Sequence, residues 1–460
     1  MNKNTRICII GAGPAGLSCA MFLEGNGYTN YEIYEKTPRV GGKCFSPLMV
    51  VTTSDGTTEE RSCDLGATFG DDSYLAIHRC EQFAHVDHMH GEEISYQLLN
   101  PDGTPYTEPS WVDLKESLEI AKLKYLLQTK YKGYETYGHR RVAKGAYEGH
   151  IVTEDLKLVH VEGTNPHLKD LALPFNEFLE LNHCEAAGKE LMVPFTARGY
   201  GYFDEVPAAH VVKYLNAMVL HRLKKPANVW IWKDGTQALW ESVNRHLLHS
   251  AHVRNEVTSV KRQDGHVFLT LNNNKVEVFG KLIITTPLDQ FLTYGNPNEE
   301  ERRLFSKIHY KKCLTMAVGV PENAMPESSC YYPGHMNDQS TGHLMGFVRR
   351  WPDCAVQPLV AYALRNHTGK TVVTPDKTES LIRQDMERSG FPVAQTYRVR
   401  DWVCFPYIKA EDYRAGWYDQ VEELQGRLNN TYYAGEIMGC GNMEETVEYS
   451  SDLVRRFFFV

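Results

Sequence analysis

The stretch that decides the fold runs from Arg6 to Lys36 and reads RICIIGAGPAGLSCAMFLEGNGYTNYEIYEK. It contains a short apolar run, a glycine-rich turn, a helical pattern and a second apolar run that ends at an acid. The turn has the spacing G-x-G-x-x-G. Glycine at these positions allows a tight turn, a close approach of the backbone to a pyrophosphate, and close packing of helix against strand. The candidate cofactor-binding residues of the turn are Gly11, Ala12, Gly13, Ala15 and Gly16.

The acid at the end of the second apolar run indicates which nucleotide the turn holds. Glu35 lies 19 residues after Gly16, where a carboxylate can accept hydrogen bonds from ribose hydroxyls. An acid here, rather than an arginine, favours an unphosphorylated ribose and therefore FAD or NAD over NADP. Because strand, helix, second strand and acid are all in place, we prefer nucleotide binding to a glycine turn that binds nothing.

The segment that follows separates FAD from NAD. Residues 35–43 read EKTPRVGGK, which resembles a large flavoprotein class that includes amine oxidases, protoporphyrinogen oxidases and phytoene desaturases. The resemblance implies FAD, with Gly42 letting the chain pass under the diphosphate and Lys43 offering it charge. It also implies that a helix opening at Asn442 and Met443 points its positive end at the flavin. The other cofactor-binding residues that it implies are Lys36, Ala67, Val257, Gly435 and Glu436.

The same resemblance predicts an α/β fold with three parts. A discontinuous Rossmann-type FAD-binding domain takes residues 1–99, 229–300 and 406–460, where Asp264-Gly265 between two alternating runs predicts a hairpin. Residues 100–228 form a largely helical cap or substrate domain, and residues 301–405 a mixed α+β substrate domain. In the helical part, the apolar residues expected on one helix face are Leu114, Leu118, Ala121, Tyr125 and Leu126. The polar stretch from residue 140 to 167 is interpreted as a loop insertion.

Composition limits the partners. The 460 residues carry a net charge of −9, which argues against nucleic acid as a main partner. The 11 scattered cysteines, the absence of a signal peptide and the absence of a long apolar stretch predict a cytoplasmic protein without an integral membrane segment. No pattern at zinc spacing is seen, so no metal site is expected. His85, His88 and His90 are interpreted as surface or structural residues, and oligomeric state is left open.

A narrower resemblance covers nearly the whole chain. Residues 170–179 (DLALPFNEFL), 194–201 (PFTARGYG), 232–237 (WKDGTQ) and 411–418 (EDYRAGWY) closely resemble the bacterial polyunsaturated fatty acid isomerases that make conjugated linoleic acid. The resemblance implies noncovalent FAD and a free polyunsaturated fatty acid with methylene-interrupted double bonds. A hydride would pass from that methylene to flavin N5 and return at another carbon, giving a conjugated diene. This chemistry does not strictly require a general acid or base from the protein, so no catalytic residue is assigned.

The chain departs from that family at the substrate gate. The family's arginine before a D-G turn is missing, and Tyr96 or Ser95 takes its place ahead of Asp102-Gly103. Leu223 stands where the family has a gating phenylalanine. We therefore expect the carboxylate to bind elsewhere, at Arg198, Arg222 or Lys224. Phe195 and Trp232, with nearby aromatics such as Tyr200, are candidates either for lining an apolar tunnel or for plain core packing.

Two other functions are compatible with the sequence. The first is an FAD-dependent oxidase or desaturase of the amine-oxidase class, which passes its electrons to oxygen or a quinone and acts on an apolar or amine substrate. The second is a flavin-binding or fatty-acid-carrying protein without catalysis. The isomerase is the preferred interpretation, because its motifs extend through the middle and the end of the chain.

Overall fold

The computed structural model describes residues 2–71, 74–90, 96–107, 109–132, 136–137, 140–141, 167–215, 220, 229–439 and 441–458. The strands in this part of the chain are β1 (Ile7–Ile10), β2 (Tyr31–Tyr34), β3 (Leu48–Thr52), β4 (Thr58–Ser62), β5 (Gly70–Asp71), β6 (Met89–His90), β7 (Tyr96–Leu98), β8 (Thr136–Tyr137), β9 (Arg140–Arg141), β10 (Val229–Ile231), β11 (Val257–Gln263), β12 (His266–Leu271), β13 (Val276–Phe279), β14 (Lys281–Ile284), β15 (His309–Pro321), β16 (Ser329–Tyr331), β17 (Gly346–Arg349), β18 (Val356–Leu364), β19 (Asn366–His367), β20 (Thr371–Val372), β21 (Gln395–Tyr407) and β22 (Thr431–Tyr433). The α-helices are α1 (Pro14–Gly25), α2 (Leu75–Ala84), α3 (Ser110–Gln128), α4 (Leu168–Leu171), α5 (Phe175–Leu181), α6 (Ala187–Phe195), α7 (Ala208–Tyr214), α8 (Thr236–His246), α9 (Leu288–Tyr294), α10 (Glu299–Phe305), α11 (Pro375–Arg388), α12 (Ala410–Arg414), α13 (Trp417–Leu424) and α14 (Met443–Phe458).

A four-stranded parallel sheet in the order β2-β1-β14-β22 forms the centre of the FAD-binding domain. All four residues of β1 and of β14 are buried, as expected for strands covered on both faces. The helix α1 packs against α14, which brings the two ends of the sequence together. The sheet therefore combines strands from three distant stretches of the chain, which confirms the discontinuous Rossmann-type α/β fold.

The predicted hairpin is present in a separate antiparallel sheet, β11-β12-β13. Asp264 and Gly265 have φ angles of 52° and 73°, and the pair Gln263–His266 closes the turn. Two consecutive positive φ angles define the turn type that matches the right-handed twist of paired strands. A local Asp-Gly signal was sufficient to locate this element.

A six-stranded sheet in the order β21-β15-β18-β17-β16-β7 takes five of its strands from residues 309–407. The helix α11 covers one face of it through Ile382 and Met386, which lie in a core cluster with Leu314 and Met316 of β15. The strand β7 pairs in parallel with β16, although its residues 96–98 were expected in the FAD-binding domain. The strand β21 likewise crosses the expected division at residues 405 and 406. Strands therefore cross both expected limits, and the division of the chain into domains stays a prediction.

The helices α3 to α7 populate the described part of residues 100–228, and one expectation about α3 is wrong. Leu114, Leu118 and Tyr125 are 62%, 63% and 64% exposed, so the predicted face points outward. The buried face instead carries Ile120 and Leu123, and α3 packs on α6. Most of the expected insertion at 140–167 lies outside the described residues. Among the described helices, none has the length and apolar character that crossing a bilayer requires.

Candidate active site

The glycine-rich turn connects β1 directly to α1. Gly11 has a φ of +102°, a left-handed backbone that favours glycine. A Cβ on Gly16 would lie 1.9 Å from the carbonyl oxygen of Gly11, so a side chain there would collide with backbone. Only glycine at this position lets α1 start so close to the end of β1. The first N–H groups of the helix are thereby placed at the strand end, as the motif predicts.

A second pair of glycines faces the first. The Gly41 N–H donates to the Ala12 carbonyl oxygen at 2.8 Å, and Gly42 has a φ of +54°. A Cβ on Gly42 would lie 3.1 Å from the Cα of Gly13. The two loops therefore meet backbone to backbone, in a cradle that side chains would fill. This arrangement fits a diphosphate, which binds to backbone N–H groups.

Glu35 lies beside that cradle. Its carboxylate accepts the N–H of Ala12 at 3.0 Å and of Thr37 at 2.8 Å. The N–H of Asn255 donates to the Glu35 carbonyl oxygen at 2.9 Å, and Val257 begins β11 two residues later. Lys36 is exposed on the same turn. The acid is held at the carboxyl end of β2, and the ribose and adenine contacts assigned to these residues remain predictions.

A cavity of about 220 Å³ lies where the three parts of the chain meet. The six-stranded sheet forms its floor, because neighbouring strands each contribute residues two positions apart, which point to the same face. These pairs are Trp402 and Cys404 on β21, Cys313 and Thr315 on β15, and Val360 and Tyr362 on β18. Lys43, Ala67, Glu436, Asn442 and Met443 line the side nearest the FAD-binding domain, and Arg198, Tyr200 and Tyr214 line the helical side.

Lys43 and Glu436 form an ion pair in the cavity wall. The other oxygen of the Glu436 carboxylate accepts the N–H of Phe405 at 3.0 Å. Gly435, the preceding residue, has a φ of +100°, and a Cβ there would lie 2.7 Å from the Thr285 carbonyl oxygen. Glycine is therefore required where β22 ends, and it positions Glu436 towards Lys43. The two predicted cofactor residues are brought together, with their charges at the cavity.

The helix α14 begins at the cavity. Its first residue is Met443, and the Asn442 side chain accepts the Glu445 N–H at 2.7 Å, which satisfies one free donor of the first turn. Both residues line the cavity. A helix N-terminus carries partial positive charge, so the cavity receives a positive potential at this point. That potential suits a reduced, anionic flavin ring.

Arg198 is the cation of the helical side of the cavity. Its guanidinium lies 4.5 Å from the ring centroid of Phe69 and donates to the Tyr214 hydroxyl at 3.4 Å. Within the described part of the chain it has no carboxylate partner. Burial alone would lower the pKa of Arg198, but the nearby phenol groups of Tyr214 and Tyr331 raise it above its ordinary value. The guanidinium therefore stays charged and can receive an anion.

Aromatic rings form most of the wall between Arg198 and α14. The ring centroid of Tyr200 lies 4.3 Å from that of Phe405 and 4.5 Å from that of Tyr214. Burial raises the pKa of Tyr200 and of Tyr362 well above that of a free phenol, so both remain neutral. The wall is consequently apolar and uncharged next to one cation, which suits an amphiphile with an unsaturated chain.

Some of the predicted substrate residues lie elsewhere. Phe195 is buried behind the wall, stacked on Tyr200 at 5.2 Å, and does not line the cavity. Trp232 is buried with its indole N–H donated to Glu81 at 2.8 Å, so core packing is the correct interpretation for both. Tyr96 is 48% exposed, and its ring lies 5.5 Å from Tyr331, outside the lining. Three further candidates, Leu223, Arg222 and Lys224, lie outside the described residues.

Several lining residues were missed from the sequence. Tyr362, Trp402 and Phe405 lie on long strands whose pairing brings them to the cavity, and no motif surrounds them. The sequence did indicate that alternate residues of those strands share one face of the sheet. It did not indicate which face borders a cavity. Phe69 and Tyr74 follow the predicted cofactor residue Ala67 by two and seven positions and could have been found from their proximity to it.

Comparisons with known proteins agree with this geometry. The family model for flavin containing amine oxidoreductases matches residues 14–448. The structure of a CLA-producing fatty acid isomerase from P. acnes is 38% identical, covers 100% of both chains and superposes with a TM-score of 0.88. Two curated fungal relatives are 23% identical, the FAD-dependent oxidoreductase dpasF of Apiospora sacchari over 58% of this chain and the beta-cyclopiazonate dehydrogenase of Aspergillus flavus over 59%.

The chain spans only 58% and 60% of the lengths of those two curated relatives, whereas its similarity to the isomerase extends from end to end. The shared flavin family and the fitting glycine cradle confirm FAD as the cofactor.

Proposed function

Since this chain belongs to the flavin-containing amine oxidoreductase family, with the P. acnes isomerase as a full-length relative, we propose that it is an FAD-dependent polyunsaturated fatty acid double-bond isomerase. The substrate is a free acid with methylene-interrupted double bonds, and the product is a conjugated diene. One observation carries the proposal, namely 38% identity at a TM-score of 0.88 over both complete chains. A change of fold or of reaction class is rarer at that similarity than a change of substrate within the class.

Bound FAD supplies a hydride acceptor that can also return the hydride, so the reaction needs no external oxidant. The protein must hold the diene against the flavin and exclude water. The half-buried rings of Tyr200, Tyr362 and Phe405 supply an apolar wall for this purpose. Their faces also favour the positive charge that develops on a pentadienyl unit when it loses a hydride. Neutral phenols support this role better than carboxylates, which would tend to add to the cation.

The substrate carboxylate binds Arg198 in this proposal. Its guanidinium borders the cavity, stays charged and, among the described residues, has no acidic partner to displace. In our interpretation of the sequence, Tyr96 or Ser95 stands where the isomerase family has its gate arginine, so a carboxylate needs another cation. A buried charge-assisted pair is worth roughly 1.5–3 kcal/mol, enough to orient the chain in the cavity.

The test is an anaerobic assay of the purified yellow protein with linoleic acid and longer polyunsaturated acids. Conjugated-diene absorbance and the flavin spectrum are recorded together. We expect diene to accumulate over many turnovers while the flavin ends in its oxidised form. Bleached flavin that recovers only after oxygen is admitted would contradict isomerisation and identify an oxidase or desaturase. Flavin and lipid that bind without any spectral change across the acid series would instead indicate a carrier.

A further inference from the structure

A group of two histidines and one glutamate lies outside the cavity described above. His78 and Glu81 are three positions apart on α2, and His88 lies just after that helix. The Nδ1 atom of His78 is 2.7 Å from one oxygen of the Glu81 carboxylate, and the Nδ1 atom of His88 is 3.0 Å from the other. One candidate ligand atom from each residue lies within 4.8 Å of the other two.

The charge of Glu81 is not balanced by a permanent cation. Its side chain is 6% exposed, and within the described residues its only ion-pair partners are His78 and His88. Within the described residues no lysine or arginine pairs with this carboxylate, and a bound divalent cation would supply that charge.

Two tryptophans fix the orientation of all three side chains. The indole N–H of Trp232 donates to Glu81 at 2.8 Å. The ring of Trp230 stacks on His88 at a centroid distance of 4.3 Å and an angle of 18°, and lies 4.8 Å from the ring of His78. Groups around a metal site typically hold its ligands in this way, because ligand orientation determines affinity.

The three side chains open onto a surface pocket of about 590 Å³. It gives an ion a path from solvent and leaves room for a water molecule opposite the ligands. The residues that line it are His78, Glu81, Gln82, His85, Val86, Asp87 and His88.

We propose that His78, Glu81 and His88 bind a divalent transition metal ion, with Zn²⁺ the best match. Two imidazole nitrogens, one carboxylate oxygen and one water complete a tetrahedral site. Ligand atoms of such a site lie about 3.4 Å apart for bonds of about 2.1 Å, so the His78–Glu81 and His88–Glu81 separations of 2.7 and 3.0 Å would have to widen by less than about 1 Å. The ion would join the end of α2 to β6 and β10. Because β10 pairs with β5, it would also brace Phe69 at the active site.

A second histidine–carboxylate group shows why the first is distinctive. Asp385 faces His335 and His343, but it also accepts the Leu344 N–H at 3.1 Å and pairs with Arg388 at 3.5 Å. The Nδ1 atom of His335 donates to the Leu344 carbonyl oxygen at 2.8 Å. Arg388 brings a permanent positive charge to this second group, so its carboxylate is balanced without a metal ion.

The test uses the FAD-loaded protein after treatment with a chelator resin and dialysis. Zinc chloride is titrated calorimetrically, and thermal unfolding is measured with and without zinc. We expect one zinc per chain, a higher unfolding temperature with zinc, and at least tenfold weaker binding in His78→Gln and in His88→Gln. The matched control is His85→Asn, which alters a histidine of the same pocket outside the ligand set and suits the positive φ of 51° there.

X-ray absorption at the zinc edge of the wild-type complex provides a readout that does not depend on any variant folding. We expect nitrogen and oxygen neighbours with the scattering pattern of two imidazoles. The proposal would be overturned if the wild type did not bind zinc stoichiometrically, or if the coordination shell lacked two imidazoles. Equal zinc affinity in His88→Gln and wild type would also overturn it. Equal losses in His85→Asn and His88→Gln would also overturn it, because the ligand set would be wrong.

Discussion

Arg198 is the single side chain on which the proposed substrate binding depends most. Its guanidinium borders the cavity and, in the described chain, pairs with phenols and a ring rather than with an acid. We expect Arg198→Gln to raise KM for free linoleic acid by about 10- to 100-fold, the loss of one charge-assisted pair, with a smaller effect on kcat. Steady-state diene formation measures both constants.

Two comparisons make this prediction specific to the carboxylate. Arg198→Lys keeps the charge and should recover part of the affinity. The KM for the methyl ester of linoleic acid should be similar in wild type and Arg198→Gln, because the ester has no charge that could pair with the guanidinium. If KM for the acid were unchanged in Arg198→Gln, the carboxylate would bind elsewhere.

His210 makes stability depend on pH. Burial, reinforced by Lys213, lowers the pKa of His210 to about 3. In the unfolded chain the imidazole has an ordinary pKa of about 6.5, so below that pH only the unfolded state takes up the proton. The contribution of neutral His210 to the free energy of unfolding is therefore fully present above about pH 6.5. It is lost progressively as the pH falls towards 3. The loss reaches at most about 1.4 kcal/mol per pH unit.

Urea unfolding at about pH 7 and about pH 5.5 measures this slope. We expect His210→Gln to show a shallower decline in the free energy of unfolding than the wild type, whatever its stability at pH 7. The control is His266→Gln, which alters an exposed histidine and should leave the slope unchanged. Parallel pH dependences in His210→Gln and wild type would contradict the assignment.

Residues defined by local backbone geometry were predictable, and residues brought together by strand pairing were not. Gly11, Gly16 and Glu35 follow from spacing, because a tight turn restricts its own sequence. Tyr362 and Phe405 depend on the register of β18 and β21, which no nearby residue encodes. For Phe195 and Trp232, the aromatic-rich segments predicted that the rings are buried. They did not predict whether the rings line the cavity or lie in the core behind it.

At the scale of elements, the contact between β1 and α1 rests on Gly16. An added Cβ would lie 1.9 Å from the Gly11 carbonyl oxygen, and backbone cannot move aside cheaply. We expect Gly16→Ala to lose most of its FAD and to unfold at a lower temperature. The ratio of flavin to protein absorbance and a thermal melt measure the two effects.

Gly25, at the other end of α1, provides the matched control. A Cβ there would meet nothing within 4 Å, so Gly25→Ala should keep its FAD and gain up to about 1 kcal/mol from helix propensity. Normal flavin content in Gly16→Ala would show that α1 can shift away from the strand, and the proposed role of the close contact would be wrong.

The helix α3 shows the limit of periodicity as evidence for an element's orientation. Leu114, Leu118 and Tyr125 have helical spacing, and so do Ile120, Leu123 and Leu127. Both stripes fit a helix, and the packing partner α6 decides which is buried. The existence and type of the helix were therefore predictable, but its buried face was not.

At the scale of the whole molecule, one buried ion pair joins three distant stretches of chain. Arg262 on β11 donates to both oxygens of Glu301 on α10 at 2.8 and 2.7 Å, and the Tyr433 hydroxyl of β22 donates to Glu301 at 2.5 Å. The charged side chains are 3% and 0% exposed. We expect Glu301→Gln to lower the free energy of unfolding by about 3–5 kcal/mol, because it leaves Arg262 buried without its counter-charge.

Equilibrium denaturation in urea measures this loss. The control is Glu299→Gln, which removes the same charge from the exposed side of α10 and should cost no more than about 0.5 kcal/mol. Similar values for the two variants would show that the buried network contributes no more than an ordinary surface charge.

The division of the chain into an FAD-binding part and two substrate parts stays a prediction, but the type of element in each stretch was predictable because each stretch carries its own pattern. The parallel strands read as continuous apolar runs, and the helical part has helical spacing. The exact limits were not predictable. The strand β7 joins the substrate sheet through a parallel pairing with β16, more than 200 residues further along the chain. Long-range pairing of this kind leaves no local signal.

The strand order β2-β1-β14-β22 has a consequence for synthesis on the ribosome. The strand β1 emerges first, but β22 completes the sheet only after about 420 further residues have been translated, roughly 20–80 s at 5–20 residues per second. Throughout that interval the nascent chain presents an apolar strand edge with unpaired N–H and C=O groups. Chaperones that cover such edges should therefore increase the yield of correctly folded protein, and the sheet that supports the FAD site is complete only after β22 has been made.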